Sequence, residues 1–560
     1  MSTKRKILIL VIILFLAAFL RIYKLNVVPV ELFGDELDVG YHAYSLLKTG
    51  RDYTGHFLPT YISSLAEARA PLFIYSTVPF VAIFGLSEWG VRLPASFFGL
   101  VSIVLIFFLL RKLFKNDLLG LIASFFLAIT PWHIHYSRAA YEVTLLLALF
   151  LGGSLFFFKG LKNHWFLFFS AILFALTPYV YSTANLFLPL LLFSLLLVFK
   201  KEIFKINKKW IMFSILIGLI ILSPLIGSLI SGQAAERFSQ ISIFSDKKLI
   251  NEIISERSQE ENGGRIFHNK ATVWGKTFVA NYLTSFSPQF LFLNGDPNPR
   301  HGVGKKGGLY LVSLPFLLLG FWRSLKNIKT KECQFIIFWF LISPIPSSLT
   351  QGGGSQATRL FLMLPPVIIL ISLGIFQMIK LKKKGLKLTF FSIFCLFLLI
   401  EMIFYLHQYF VHWPKNSWLW WHYGYKEIMQ GVSLKESDFQ RLVFNNTHEP
   451  ILLRFLFWTK KDPGWFQKNF TGDKEKEEIF PDFLGFNVGN RYIFGRITKE
   501  DKMNFLLNFL DRNTLYLAFQ GDEIPGNWDW EKDPPAKVKV LKTARDPFDN
   551  PYIYLLTGKE

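Results

Sequence analysis

Charge is scarce in this sequence. Of its 560 residues 18% are Asp, Glu, Lys or Arg, while 52% are hydrophobic. A water-soluble enzyme of this length needs more charge on its surface, and apolar runs of about 18 or more residues recur along the chain, as in membrane-spanning helices. Cysteine is scarcer still. Cys333 and Cys395 are the whole complement, which excludes a disulfide framework and a cysteine-based zinc site. Acidic residues are outnumbered, 40 against 61 Lys and Arg, giving a net charge of +21. That excess does not indicate a nucleic-acid partner, because the bases gather in short loops between apolar runs, the positive-inside signature of a cytoplasmic face. Internal repeats and low-complexity tracts are lacking too. What abounds is Phe, 61 residues of it, more than the core of a soluble protein needs.

Counting crossings between basic loops gives a topology. Lys4, Arg5 and Lys6 precede the first run, 7–24, and are cytoplasmic. The same residues could open a cleaved signal peptide, but no clear small-residue cleavage site follows and many more spans do, so a retained helix is expected. The next basic cluster is Arg111, Lys112 and Lys115, with 71–87 and 93–113 between. An even number of crossings keeps that cluster inside. The stretch 71–87, short and carrying Pro71 and Pro79, is therefore expected to be juxtamembrane or re-entrant. The spans 118–136, 139–159, 164–179, 182–199, 209–231, 309–325, 333–349, 359–379 and 387–408 then alternate without conflict.

The expectation is an α-helical polytopic membrane protein with about eleven transmembrane helices, lying in the plasma membrane with a cytoplasmic N-terminus. Residues 1–411 form the membrane domain, with external loops 25–92 and 232–308. Residues 412–560 form an extracytoplasmic α/β domain. There, strand-like runs (441–444, 491–494, 515–518) alternate with helical ones (425–430, 450–458, 502–510). Trp413, Trp418, Trp420 and Trp421 read as an interfacial aromatic belt.

This threading puts the chemistry-bearing residues on the external face. Asp35 and Glu36 follow the first span. A second cluster joins two spans and contains His135, Arg138 and Glu142, a costly grouping to hold beside lipid. Glu67 and Arg69 precede Pro71, and Tyr181 closes the external hairpin tip Thr177-Pro178-Tyr179-Val180-Tyr181. Asp296, Asn298, Arg300 and His301 form a turn-rich motif, and Arg359 opens a late span. Arginine on the external face runs against the positive-inside rule, so Arg69, Arg138, Arg300 and Arg359 read as ligands for an anion, with phosphate the natural candidate. Carboxylates, arginines and a hydrophobic bundle suit transfer of a sugar from a polyprenyl-phosphate carrier. One carboxylate takes the acceptor's proton and the arginines stabilise the departing phosphate.

The order of motifs resembles the membrane glycosyltransferases of the GT-C type, particularly the protein O-mannosyltransferase and lipid A aminoarabinose-transferase branch (glycosyltransferase family 39 and its bacterial relatives). The resemblance is carried by Asp35-Glu36, Ala70-Pro71-Leu72, Arg92-Leu93-Pro94, Ser137-Arg138 with Glu142, and Ala357-Thr358-Arg359. It covers roughly residues 1–400. It implies a GT-C-like bundle, Asp35 as general base, and Glu36 and Glu142 shaping the donor or acceptor site. The implied reaction inverts the anomeric centre of a dolichyl- or undecaprenyl-phosphate sugar, with a lipid, glycan or protein as acceptor. Oligosaccharyltransferase cousins place metal-binding carboxylates after the third span. Here Glu142 stands beside Arg138, so transfer without a metal cofactor is expected. The rival reading is a transporter or flippase of a lipid-linked sugar. Such machines place ionisable groups near the bilayer midplane, whereas these spans carry little charge apart from Glu401.

Overall fold

The apolar runs fold as helices because a chain in hydrocarbon must satisfy its backbone polar groups within each segment. The computed structural model describes residues 2–65, 68–230, 240–259, 264–448, 450–470 and 477–559. Among them, five helices are long and apolar enough to cross a membrane: Glu88–Phe114, Val143–Gly160, Lys208–Leu225, Phe361–Ile379 and Lys384–Asn416. Two further apolar helices have 20 residues each: Thr3–Ile22, with Lys4, Arg5 and Lys6 at its start and a buried Arg21 in its last turn, and Ala184–Ile203, with Lys200 and Lys201 in its last turn. The stretch expected to be re-entrant is a 13-residue helix, Leu72–Phe84, with Pro79 inside it, well short of the roughly 20 residues a full crossing needs.

The chain divides into two compact units. The first comprises Met1–Tyr23, Ala70–Phe73 and Ala95–Trp413 and holds most of the apolar helices. Asn116 caps the Asp117–Ile129 helix by accepting from Leu119 N at 3.1 Å, which satisfies one of the orphan amides of its first turn. Asp117 pairs there with Lys6 and with Arg111, the latter at 2.9 Å. The helices Leu314–Lys326 and Leu364–Ile379 meet backbone to backbone. A Cβ on Gly320 would lie 1.8 Å from Leu370 O, and one on Gly374 would lie 2.1 Å from Phe316 O, the small-residue contact that membrane helices use to pack closely. The Lys384–His407 helix instead exposes Leu388, Phe390, Leu396, Phe397 and Phe404, an apolar face suited to lipid. The segment expected as an external loop, 232–308, contains the helices Lys247–Ser258 and Lys270–Thr284.

The second unit comprises Lys24–Arg69, Ile74–Pro94 and Pro414–Glu560. It therefore takes in much of the segment after the first span as well as the tail. A two-stranded ribbon, β1 (Ile62–Ser63) and β2 (Ala68–Arg69), pairs Ile62 with Arg69. The tail folds around seven strands: β3 (Arg441–Asn445), β4 (Glu477–Phe480), β5 (Phe483–Val488), β6 (Tyr492–Ile497), β7 (Thr514–Phe519), β8 (Val538–Arg545) and β9 (Pro551–Gly558). Their order is β4-β5-β6-β3-β7-β9-β8. Among the described strands β3 alone is parallel to both its neighbours, with Val443 opposite Ile493 on one side and Tyr516 on the other. Crossovers through the helices Ile451–Trp458 and Lys502–Phe509 permit this. Val443, Phe483, Ile493, Leu506, Tyr516, Trp530 and Tyr554 form the core.

The helix Gly34–Thr49 packs within this unit at Gly40, where a Cβ would lie 2.6 Å from both Phe457 and Val91. Tyr41 donates to Lys461 O at 3.1 Å, and Gln467 donates to Asp52 O at 2.8 Å. These bonds fix the helix that carries Asp35.

Of the four tryptophans expected in an interfacial belt, Trp420 is exposed and Trp418 half-buried, whereas Trp413 and Trp421 are buried in the protein. Trp413 donates to Pro299 O and Gly302 O at 3.1 and 3.0 Å, and Trp421 packs edge-on against Phe33. A buried indole needs a partner for its N–H, which Trp413 finds in the backbone of the 294–302 loop.

Candidate functional site

Asp35 and Glu36 lie in the first turn of the Gly34–Thr49 helix, where the helix dipole favours acidic side chains. Adjacent helical residues point to different faces, and the two carboxylates part company accordingly. Glu36 is fully buried. Arg92 grips both its oxygens, Nε to Oε1 and Nη2 to Oε2, each at 3.0 Å. The rest of the guanidinium donates to Leu25 O and Pro29 O at 2.9 Å and to Glu31 O at 2.6 Å.

Asp35 faces another way, with a side chain 54% exposed. Arg69, carried by β2, reaches its Oδ1 at 2.6 Å and reaches Asp38 Oδ2 at 2.7 Å. One buried arginine thus spans two carboxylates that sit three residues apart. Asp38 is 2% exposed, and its Oδ1 accepts from Tyr53 and from Ser64, both at 2.7 Å. His42, one turn on, stacks on the Tyr53 ring at 3.8 Å between centroids. Its Nε2 stands 3.6 Å from Asp38 Oδ1. Burial pushes the His42 imidazole down to about 4, against the upward pull of Asp38 and Asp52, so the ring is neutral at pH 7. Sequence reasoning missed Asp38, His42 and Tyr53. The signal was the spacing Asp35, Asp38, His42, which lines one helical face. Glu67 lies outside the described residues.

The remaining expected residues lie in the first unit, most of them in one cluster. His135 Nε2 donates to Arg300 O at 2.7 Å, and Tyr141 donates to the same carbonyl at 2.6 Å. His301 Nδ1 stands 3.2 Å from the Tyr136 hydroxyl and 3.1 Å from the Thr358 hydroxyl. Asp296 is a staple. Its Oδ1 accepts from Asn298 N at 2.9 Å and its Oδ2 from Ala357 N at 2.8 Å, while burial raises its carboxyl above the usual range. Asn298 in turn accepts from Arg300 N at 2.9 Å. Arg138 is buried, donates to Leu20 O at 2.9 Å and lies over the rings of Tyr409 and Phe410. Arg359 donates to the Thr350 hydroxyl at 2.6 Å. Glu142 precedes the Val143–Gly160 helix as its N-cap residue, and Tyr181 is half-buried just after the turn Thr177–Tyr179. Tyr136 and Thr358, whose hydroxyls lie 2.8 Å apart, were not anticipated, because their alignment depends on chain segments more than 200 residues apart.

Among the described residues no group of three or more His, Cys, Asp or Glu side chains is gathered as a metal site.

Residues 68–227 match the model of the family described as dolichyl-phosphate-mannose-protein mannosyltransferase. This chain resembles the GT-C glycosyltransferases. Among solved structures, ArnT from Cupriavidus metallidurans bound to undecaprenyl phosphate superposes with a TM-score of 0.54 at 11% identity, covering 99% of this chain and 98% of that one. The oligosaccharyltransferase of Archaeoglobus fulgidus, tethered to an acceptor peptide with an NVT sequon, gives 0.51 at 14% identity, covering 92% of this chain and 69% of that one. In its apo form the archaeal protein gives 0.49 at 12% identity, and the chain spans 64% of its length. A search of curated protein sequences finds no match. At these identities the structural likeness is one of fold: a mostly helical, multi-pass membrane protein of GT-C type whose C-terminal region is built on a β-sheet.

Proposed function

We propose that the protein is an integral membrane glycosyltransferase that moves a sugar from a polyprenyl-phosphate carrier to an acceptor hydroxyl on the extracytoplasmic face. The observation that carries this reading is the state of Asp35: half-exposed in the first turn of its helix, just ahead of a fully buried run at residues 36–43, and oriented by an arginine anchored on Asp38. A general base must be reachable by substrate and held in one geometry, and Asp35 meets both requirements.

In the proposed step the acceptor hydroxyl gives its proton to Asp35 while its oxygen attacks the anomeric carbon. The bond from that carbon to the phosphate oxygen breaks, and the polyprenyl phosphate leaves with the electron pair. Attack opposite the leaving group inverts the anomeric centre. A positioned base supplies roughly 10²–10⁴-fold of the acceleration. Glu36, with both oxygens on Arg92, serves this step as a positioning residue that fixes the first turn of the helix. The apolar helices of the first unit are suited to the polyprenyl chain, and the protein would act in the plasma membrane on a lipid, glycan or protein acceptor.

The test uses purified protein, a radiolabelled polyprenyl-phosphate sugar and membrane extract as acceptor. Wild type should label an acceptor, and Asp35→Asn should not. Transfer at the wild-type rate by Asp35→Asn removes Asp35 as the base. Movement of intact lipid-linked sugar between leaflets without transfer would replace the enzyme with a transporter.

A further inference from the structure

Three of the four arginines expected to hold phosphate are heavily engaged inside the protein. Arg69 bridges two carboxylates, Arg138 is buried over two rings, and Arg359 is tied to Thr350. Lys305 and Lys306 are not so committed. Among the described residues neither ammonium has a hydrogen bond or a close ion pair; Lys306 acts electrostatically on Glu401 and lies 5.9 Å from the Phe404 ring centroid. Both are exposed at the mouth of a cavity of about 230 Å³ within the first unit. Its floor is buried: Phe292, Leu309, Tyr310 and Tyr405. The two floor hydroxyls are spent on backbone carbonyls, Tyr310 on Ile129 O at 2.9 Å and Tyr405 on Pro131 O at 3.2 Å. Glu401 forms one wall with its Oε1 accepting from Val312 N at 3.1 Å. Lys306 acts electrostatically on that carboxylate, and with Lys305 beside it the mouth keeps an excess of positive charge.

The backbone presents that pair in a fixed way. Gly304 and Lys305 are consecutive left-handed residues, with φ of 47° and 41°, and a lysine in that region is strained. The turn is clamped on its far side. A Cβ on Gly307 would lie 2.2 Å from the Phe292 carbonyl carbon, Gly308 O accepts from Trp132 N at 3.0 Å, and Leu309 N donates to Leu291 O at 2.8 Å. Two adjacent ammoniums on a constrained turn, over a cavity smaller than the roughly 300 Å³ that a drug-sized ligand needs, match a compact headgroup and not a whole molecule.

We infer that Lys305 and Lys306 form a binding site for the phosphate group of a membrane lipid, seated over the Phe292–Tyr310–Tyr405 cavity. The shared chemistry is a phosphate ester on an apolar anchor, borne either by the polyprenyl carrier or by a phosphorylated acceptor lipid. The identity of the ligand rests on the transferase reading; the binding itself does not.

The experiment measures lipid affinity of the full chain in nanodiscs, using undecaprenyl phosphate, undecaprenol and a phosphorylated diacyl glycolipid as probes. Wild type should prefer a phosphate-bearing probe to undecaprenol. The double variant Lys305→Gln/Lys306→Gln should lose at least 10-fold in affinity for that probe and leave undecaprenol unchanged, while Lys305→Arg/Lys306→Arg retains binding. Loss confined to undecaprenyl phosphate assigns the carrier; loss confined to the glycolipid assigns the acceptor. A change under 2-fold for both phosphate probes in a glutamine variant that melts like wild type overturns the site, as does an equal loss for undecaprenol. Phosphate binding that depends on the lysines in a protein without transfer activity would sink the transferase reading and leave the site standing. Normal transfer with lysine-independent binding would do the reverse.

Discussion

Glu36 and Arg92 form a two-point ion pair, 3.0 Å at each contact, with neither side chain exposed. Removing one member of such a pair leaves a buried charge without compensation, at a cost of about 3–5 kcal/mol. Glu36→Ala should therefore lower the melting temperature sharply and reduce the yield of folded protein, and Arg92→Ala should do the same. A Glu36→Ala protein of wild-type stability that lacked activity would instead make Glu36 a direct participant in the reaction.

Asp35 and Asp38 share Arg69 but should respond differently to substitution. Asp35 is 54% exposed and Asp38 is 2% exposed. Asp35→Asn should keep wild-type stability and lose roughly 10²–10⁴-fold in transfer rate. Asp38→Asn should lose stability by about 1–3 kcal/mol, because Tyr53, Ser64 and Arg69 all lose a charged acceptor. Paired measurements of melting and turnover on the two variants separate these roles. Equal stability losses would contradict the assignment.

His42 gives the second unit an acid sensitivity of known sign. Its folded value, about 4, lies below the ordinary 6.5. Between those limits the unfolded chain binds a proton that the folded chain refuses, so stability falls as pH drops through that window, by at most about 1.4 kcal/mol per pH unit. Asp38, Asp52 and Arg69 are the charged groups acting on the ring. His42→Phe keeps a ring to stack on Tyr53 and should flatten the difference in melting temperature between pH 7 and pH 5. An unchanged slope would show that the imidazole is already protonated in the folded state.

Asp296 accepts from two backbone amides, Asn298 N within the loop 294–302 and Ala357 N outside it, and so ties the loop to residue 357. Asp296→Ala removes both acceptors, and each orphaned amide costs about 1–3 kcal/mol if it stays buried. Hydrogen exchange should rise at Asn298 and Ala357 and at the neighbouring Arg300 and His301. Protection equal to wild type would mean that water replaces the carboxylate without penalty.

Much of this architecture was legible from hydropathy alone. The strands at 441–445, 492–497 and 514–519 and the helices at 425–435, 451–458 and 502–509 stand where alternation and turn residues placed them, because burial on one or two faces writes a period into the sequence. The tryptophans misled for a related reason. Indole is amphipathic, and composition cannot distinguish an interface from a buried site with one carbonyl partner, as at Trp413. Glu36 was expected beside Asp35 in shaping the donor or acceptor site, but on a helix the neighbouring residue turns to another face, and Glu36 is buried against Arg92. Its partner Arg92 lies 56 residues on, beyond the reach of any local pattern. Lys305 and Lys306 lie just beyond the turn-rich motif of Asp296, Asn298, Arg300 and His301, and two lysines in a loop carry no local pattern that marks them as a site.

The backbone contact at Gly320 and Gly374 has a mechanical consequence. Helices that touch without intervening side chains have no slack through which a lipid tail can pass. The seam between Leu314–Lys326 and Leu364–Ile379 is therefore closed to hydrocarbon at these two glycines, and a larger residue at either would have to push the helices apart.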